Sequence, residues 1–281
     1  MINLNTNAVN TWCPGCGNFA ILNALKAVLK SLNEEGLPLE NVVLVSGIGC
    51  HAKIVDYLNV NSFYSLHGRV FPPATGIKIA NPALKLICHS GDGDAYGEGL
   101  EHLIFAAKRN IDITAIIHNN RVYGLTTGQY TPTSPRCFKG RSTPFGTKET
   151  PINPLEIMLA SGATFIARGT SNGLELLKKI LKEAILHKGF SFVDVLQVCV
   201  TFFNMYEYYN KNVYEMKDHE PGDFNMAMKR VREWDYTTDT KIPLGIFYEK
   251  KAPSFEEEFS RSEIPHADRK LQIQQVLEKT I

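Results

Sequence analysis

Short apolar runs that alternate with amphipathic stretches predict an α/β chain on a mainly parallel central sheet flanked by helices. Three observations carry this expectation. Residues 42–45, 84–88, 111–117 and 192–198 are strand-length runs rich in aliphatic residues. Between and around them, apolar residues recur at helical spacing. Glycine-bearing turns, Gly47-Ile48-Gly49 and Ser90-Gly91-Asp92-Gly93, follow directly on two of the strand candidates.

The first helix starts at Asn18, and Ile21, Leu22, Leu25, Val28, Leu29 and Leu32 form its apolar stripe. Leu100, Leu103, Ile104 and Ala107 mark a second helix after the run 84–88. The run 111–117 then ends at His118-Asn119-Asn120, which completes a strand–turn–helix–strand unit with the usual right-handed crossover. Leu174, Leu177, Ile180, Leu181, Ala184 and Ile185 predict a further helix, followed by the run 192–198, with Cys199 just beyond it. Residues 127–154 are rich in Thr, Pro, Gly and Ser and lack periodicity; a loop of that length is functional or mobile. From Tyr206 the pattern is broken, aromatic and charged. The expected organisation is one domain over 1–205 and a C-terminal arm over 206–281. The arm would carry a helix near 223–234 and another near its end, and it would pack on the domain or on a partner subunit.

The chain has 281 residues, 44% hydrophobic and 21% charged, with a net charge of +1. That balance gives no field to steer nucleic acid or an anionic membrane to the surface. A membrane span needs about 20 successive apolar residues, and the sequence has no such run. Residues 1–10 lack the basic and apolar regions of a signal peptide. A cytoplasmic protein is therefore expected, and its six cysteines are not expected to pair as disulfides.

Gly91-Asp92-Gly93-Asp94 lies between a strand and a helix. Glycines there let backbone amides approach a phosphate, and a helix N-terminus favours the anion. Asp92 offers a hard oxygen to Mg2+, which takes one or two protein carboxylates and fills its octahedron with phosphate oxygens and water. Asn119 or Asn120, at the end of the next strand, can add an amide oxygen. The bland reading of Gly-Asp-Gly is a tight turn. Against it, both strand ends of a parallel unit reach one edge of the sheet, where open α/β folds bind ligands.

Cys13-Pro14-Gly15-Cys16 enters the first helix; alone it is a zinc half-site, a redox pair or part of a cluster site. Zinc or a 4Fe–4S cluster takes four thiolates. Cys50 and Cys199 each lie just past a strand end and would reach the edge that carries Asp92. Cys137, in the long loop, is the second choice for the fourth position, and Cys88 reads as a core thiol. His89, His102, His118 and His187 show no metal-ligand spacing and are expected to be structural. The aromatic group 202–209 reads as core and interface packing.

The Gly-Asp-Gly followed by Asn one strand later resembles the thiamine-diphosphate motif. The stretch Asn119-Asn120-Arg121-Val122-Tyr123-Gly124-Leu125-Thr126 resembles the 2-oxoacid:ferredoxin oxidoreductases in particular. So do Thr11-Trp12-Cys13-Pro14-Gly15-Cys16-Gly17, Ser46-Gly47-Ile48-Gly49-Cys50 and Leu196-Gln197-Val198-Cys199-Val200-Thr201-Phe202. Similarity to the family's β subunit runs over about residues 11–205. It implies a thiamine-diphosphate-binding fold. Asp92, Asn120 and the Val122 carbonyl would be the Mg2+ ligands, and Cys13, Cys16, Cys50 and Cys199 would hold a 4Fe–4S cluster. The cofactor would lie along Ile48, Gly49, Cys50, His51, His67, Gly68, Arg69, Gly91, Asp92, Gly93, Asp94, Gly124, Leu125 and Thr126. His67 and Lys53 are the implied catalytic residues, Lys53 through its charge opposite a 2-oxoacid carboxylate. His51 and Ala52 stand where many relatives carry small residues.

The resemblance implies oxidative decarboxylation of a 2-oxoacid to acyl-CoA and CO2, with electrons leaving through the cluster to ferredoxin or flavodoxin. The family places a glutamate that activates the cofactor on a separate α subunit, and this sequence has no motif resembling that part. An αβ heterodimer, itself doubled, is therefore implied. Turns at Pro132-Thr133-Ser134-Pro135 and Pro151-Ile152-Asn153-Pro154 look most like 2-oxoglutarate-type or broad 2-oxoacid subunits, with pyruvate as the alternative substrate. A non-redox thiamine-diphosphate lyase with a structural metal, or a catalytically idle electron-transfer subunit, are the rival readings.

Overall fold

The computed structural model describes residues 3–237, 239–258 and 278. Eight strands form one sheet: β1 (Val42–Ser46), β2 (Asn61–Tyr64), β3 (Lys85–Gly91), β4 (Ile113–Asn119), β7 (Phe165–Thr170), β8 (Ser191–Leu196), β9 (Val213–Glu215) and β10 (Ile242–Glu249). Their order is β2-β1-β3-β4-β8-β7-β10-β9. Every neighbouring pair is parallel except β10 with β7. A two-stranded antiparallel hairpin, β5 (Val122–Tyr123) and β6 (Gln129–Tyr130), stands apart from the sheet. The helices are α1 (Asn18–Glu34), α2 (Phe71–Ala80), α3 (Leu100–Arg109), α4 (Pro154–Ala160), α5 (Leu174–Leu186), α6 (Tyr206–Asn212), α7 (Phe224–Val231) and α8 (Phe255–Glu258).

The strands read as continuous apolar runs because both faces of the sheet are covered. Successive side chains alternate between two cores. Ile87, Ile116, Val193, Val195, Phe165 and Ala167 join the stripe of α1 and the buried side of α5. Leu86, Cys88, Ala115, Ile117, Phe192 and Ile166 face the opposite way, toward residues of α2, α3, α4 and α7. Cys88 is thus a core thiol, as expected. The stripe read from the sequence, Ile21 to Leu32, is buried at every position.

Four of the eight sheet strands, β2, β7, β9 and β10, were not legible. β2 is a fully exposed edge with no alternation to betray it. β7 carries an interior arginine, β9 is three residues long, and β10 is interrupted by Pro243 and Gly245, which disfavour a strand reading. Arg168 in β7 is buried beneath the rings of Trp234, Tyr236 and Phe247, with its Nε 3.7 Å from Asp194 Oδ2. The described part of the expected arm, residues 206–258, packs on the domain from within its sheet. β10 hydrogen-bonds along β7, and β9 extends the edge. Helix α7 falls where a helix was expected; the Asp223 carboxylate caps it by accepting from the amides of Asn225 and Met226. The helix expected near the chain's end lies outside the described residues. Among the described residues no helix is long and apolar enough to cross a membrane.

Candidate active site

β1, β3, β4 and β8 are adjacent and parallel, so the segments that leave their carboxyl ends converge. Those segments carry Gly47–Cys50, Asp92–Asp94, Asn119–Gly124 and Gln197–Cys199. A cleft with a cavity volume of about 220 Å³, open to solvent at its mouth, lies there. It is lined by Ile48, Gly49, Cys50, His51, His67, Gly91, Asp92, Gly93, Asp94, His118, Asn120, Val122, Tyr123, Gly124, Leu125, Thr126 and Gln197.

Asp92 caps a π-helical turn over Gly93–Glu98 that breaks at Gly99 before α3 begins. Its carboxylate is 2% exposed and accepts from Thr133 Oγ1 at 3.0 Å. Burial raises its pKa to about 6, against the lowering effect of the Thr131 and Thr133 hydroxyls and of backbone near Asn120. The same Thr133 hydroxyl lies 3.0 Å from Asn119 Oδ1, while Asn119 Nδ2 donates to Asp194 Oδ1. Both ends of the Asn119 amide are thus committed to the interior. Asn120 lines the cleft, with its Oδ1 accepting from the Val122 amide. Gly93 is required where it stands, because a Cβ there would lie 2.1 Å from the Tyr123 ring.

Asp94 is the electrostatic hub of the opposite wall. Its Oδ1 accepts from the Gly68 amide at 2.6 Å and pairs with His67 Nδ1 at 2.8 Å. Its Oδ2 accepts from Ser90 Oγ and lies 3.5 Å from His51 Nε2. Burial pushes the Asp94 pKa up, but the hydrogen bonds from His51, His67 and Gly68 outweigh it and hold the group below the usual carboxylate range. In turn, the bond to Asp94 raises the pKa of His67 against partial burial. Gly47 passes so close that a Cβ would sit 2.0 Å from an Asp94 oxygen.

Beneath this wall lies a buried imidazole group. His118 Nε2 is 2.9 Å from His89 Nδ1, and its Nδ1 is 2.8 Å from Asn18 Oδ1. Burial, reinforced by His51, lowers the His89 pKa to about 3, and burial followed by His89 and His51 lowers that of His118. Both rings are neutral at physiological pH. The sequence expectation that these two histidines are structural holds for His89, but His118 also lines the cleft.

Cys13, Cys16, Cys50 and Cys199 are free thiols gathered at one side of the cleft. Burial pushes the Cys16 pKa up to about 11; the Asn18 backbone hydrogen bond opposes this, and Cys199, Cys50 and Cys13 add to it. Cys50 is raised by burial, lowered by Lys53 and raised by Cys199 and Cys13. Cys50 Sγ and Cys199 Sγ converge on Gly124, within 3.5 and 3.8 Å of where its Cβ would stand. Cys137, the alternative, is exposed and does not act on the other thiols. Among the described residues no three His, Cys, Asp or Glu side chains are close enough to hold a single metal ion.

Most of the expected cofactor residues therefore line the cleft, but three expectations do not hold as geometry. Gly68 reaches the site only through Asp94. Arg69 is exposed and spends its guanidinium on the carbonyls of Gly68 and Glu98. Lys53 does not line the cleft; its Nζ bonds Thr11 Oγ1 at 2.9 Å. Conversely, sequence reasoning missed His118, Tyr123 and Gln197. Each sits within two residues of an expected ligand, Asn120, Gly124 or Cys199, and that adjacency was the available signal.

Residues 47–195 match the family described as thiamine pyrophosphate enzyme, C-terminal TPP binding domain. Residues 199–263 match the C-terminal family of the pyruvate ferredoxin oxidoreductase beta subunit. The beta subunit of 2-oxoacid:ferredoxin oxidoreductase 1 from Aeropyrum pernix is 43% identical over 86% of this chain and 79% of its own length. The 2-oxoglutarate synthase subunit KorB of Methanothermobacter thermautotrophicus is 36% identical over 86% of this chain and 83% of its own. The structure of 2-oxoglutarate:ferredoxin oxidoreductase from Magnetococcus marinus, with 2-oxoglutarate, coenzyme A and succinyl-CoA bound, superposes with a TM-score of 0.88 at 31% identity. That match covers 96% of this chain and 94% of that one. With its thiamine-type cleft, its four gathered thiols and these relatives, the chain belongs to the beta subunits of the 2-oxoacid:ferredoxin oxidoreductases.

Proposed function

We propose that this subunit, joined to an α subunit in the cytoplasm, oxidatively decarboxylates a 2-oxoacid, with 2-oxoglutarate preferred, to acyl-CoA and CO2. Its electrons pass to ferredoxin or flavodoxin. The convergence of Asp92, Asn120, Cys50 and Cys199 past the ends of four adjacent parallel strands, with Cys13 and Cys16 brought beside them at the start of α1, carries this reading.

The residues fit Mg2+ and a diphosphate. One carboxylate, one amide oxygen and the Val122 carbonyl form the sparse hard-oxygen set that magnesium uses alongside phosphate. They are not three acidic or imidazole side chains, so the absence of such a cluster among the described residues fits this set. An ionised Asp92 buried without a cation is disfavoured, as its raised pKa reflects, and a metal ion relieves that cost. The four thiols fit a 4Fe–4S cluster better than zinc. A cube holds its thiolates farther apart than the ligands of one ion, in keeping with sulfurs that influence one another without forming a compact site.

When bound, thiamine diphosphate supplies carbanion stabilisation and the cluster accepts electrons singly. The chain's residues orient and insulate. Asp92, Asn120 and Val122 hold the ion, and Gly91 and Gly93 admit the diphosphate against backbone. Asp94 Oδ1 and the Ile48 carbonyl, 3.1 Å away, hold a proton at His67 Nδ1. His67 thereby offers the cleft an imidazole biased toward its cationic form, suited to an anionic substrate. Ile48 and Leu125 supply apolar walls at the mouth. Lys53 reaches a substrate carboxylate only by leaving Thr11.

Pyruvate is the second reading, favoured by the C-terminal match at residues 199–263. Rates of the αβ complex with 2-oxoglutarate and pyruvate, with coenzyme A and ferredoxin, decide between them. A higher kcat/KM for 2-oxoglutarate is expected; a preference for pyruvate overturns the assignment. The purified chain alone is expected to show no turnover.

A further inference from the structure

Gln197 stands between the two halves of the site. It leaves β8 at the carboxyl edge, is 1% exposed, and lines the cleft that contains Asp92 and Asn120. Its Nε2 lies 2.8 Å from the Val198 carbonyl and 3.3 Å from Cys16 Sγ. The carbonyl contact fixes the orientation of the amide, because the flipped amide would set two acceptor oxygens together. The group that faces the Cys16 sulfur is therefore an N–H donor. Its Oε1 is buried without a hydrogen-bond partner. A buried unsatisfied oxygen is costly, and an apolar side chain would avoid that cost. The amide is thus explained by what its N–H does.

We propose that Gln197 is a positioning residue for electron transfer: its N–H···S bond to Cys16 raises the reduction potential of the cluster and fixes that sulfur beside the cofactor cleft. The inference rests on the cluster reading above. Each reduction adds one electron, taking the core from its 2+ to its 1+ state. The electron comes from substrate oxidation in the cleft and leaves to the one-electron acceptor protein. The added negative charge spreads onto the thiolates, so a donor aimed at a thiolate favours the reduced state. The Asn18 amide supplies a second hydrogen bond to Cys16 from the backbone, which no side-chain change removes.

Two variants test this in the anaerobically purified αβ complex. Gln197→Leu removes the donor. Gln197→Glu keeps the shape and replaces the N–H with an acceptor oxygen. Iron and acid-labile sulfide are measured per chain, and the potential is read by potentiometry followed by electron paramagnetic resonance. Gln197→Leu is expected to shift the one-electron equilibrium about tenfold against reduction, about 59 mV more negative for a one-electron couple. Gln197→Glu is expected to shift it further. Fully loaded variants with potentials matching the parent overturn the proposal. Loss of the cluster from both variants also overturns it, because it would assign Gln197 to cluster retention. A parent complex with no 4Fe–4S signal defeats the cluster reading itself, which separates the two failures.

Discussion

Asp92 and Asn120 stand in a socket that is already built, whereas the four thiols are only brought near one another. The carboxylate is held by Thr133, which also anchors Asn119, and Asn119 is tied to the buried Asp194. Asp194 in turn accepts from Tyr96 and Tyr236, so the Asp92 side is braced through the sheet as far as the C-terminal segment. On the thiol side, Cys13 is exposed, Cys16 enters α1, Cys50 opens a short 3₁₀ turn (His51–Asp56), and Cys199 follows β8 in irregular chain. The Trp12 indole donates to the Cys50 carbonyl at 2.6 Å and ties two of these segments together, but no bonds join the sulfurs. On the proposed reading, one group would bind into a preorganised site and the other would complete its own site as it binds.

The largest effect that can break this contrast is on the cluster. Cys16→Ser or Cys199→Ser should abolish the visible absorption band that bleaches with dithionite. Cys88→Ser and Cys137→Ser should keep iron and sulfide near the parent content. A cluster that survives Cys199→Ser but not Cys137→Ser would reassign the fourth ligand.

The magnesium side should instead show a graded dependence on pH. In the metal-free fold Asp92 keeps its proton up to about pH 6, whereas the unfolded chain releases it near 3.8. Between those values the folded state binds more protons, so this group makes folding less favourable as pH rises through the window. Mg2+ needs the ionised form, so its binding releases a proton below pH 6. Calorimetric titration should show affinity falling about tenfold per pH unit below 6 and levelling off above it. A flat profile from pH 5 to 7 would contradict the buried-carboxyl account.

Thr133→Val tests the bracing. One hydroxyl proton serves both Asp92 and Asn119, only one at a time, so its loss leaves buried acceptors short of a donor. Mg2+ affinity should weaken by about 10-fold to 100-fold, the usual range for groups that orient a ligand. Cluster content should stay unchanged. The smallest effect is expected from Arg69→Ala, since its guanidinium faces two backbone carbonyls outside the cleft. Thiamine diphosphate affinity should change by less than about threefold, as for surface substitutions away from special contacts.

The same contrast explains what could be read in advance. Strand ends were legible because apolar runs stop at Cys88, Ile117 and Val198, and whatever follows them shares an edge. The motif glycines, Cys50 and Cys199 therefore share that edge, and the buried contacts of Asn119 agree with the family resemblance in favouring Asn120, which spacing alone left open. Long-range partners were not legible. Nothing in the run 127–154 indicates that Thr133 reaches Asp92, or that the Arg121 guanidinium bonds the Thr133 and Tyr236 carbonyls. Arg69 and Lys53 carry the right charge in the right segments, but local backbone and Thr11 claim them first.

The central claim is that both groups work together on this chain, with Asp92 holding the ion that positions the cofactor. The most direct measurement is reduction of the cluster in the αβ complex, loaded with Mg2+ and thiamine diphosphate, on mixing with 2-oxoglutarate and coenzyme A under anaerobic conditions. The parent complex should develop the reduced-cluster signal within turnover times. Asp92→Asn, with equal iron content, should reduce normally with dithionite and not with 2-oxoglutarate. Substrate-driven reduction that persists in Asp92→Asn would contradict the account.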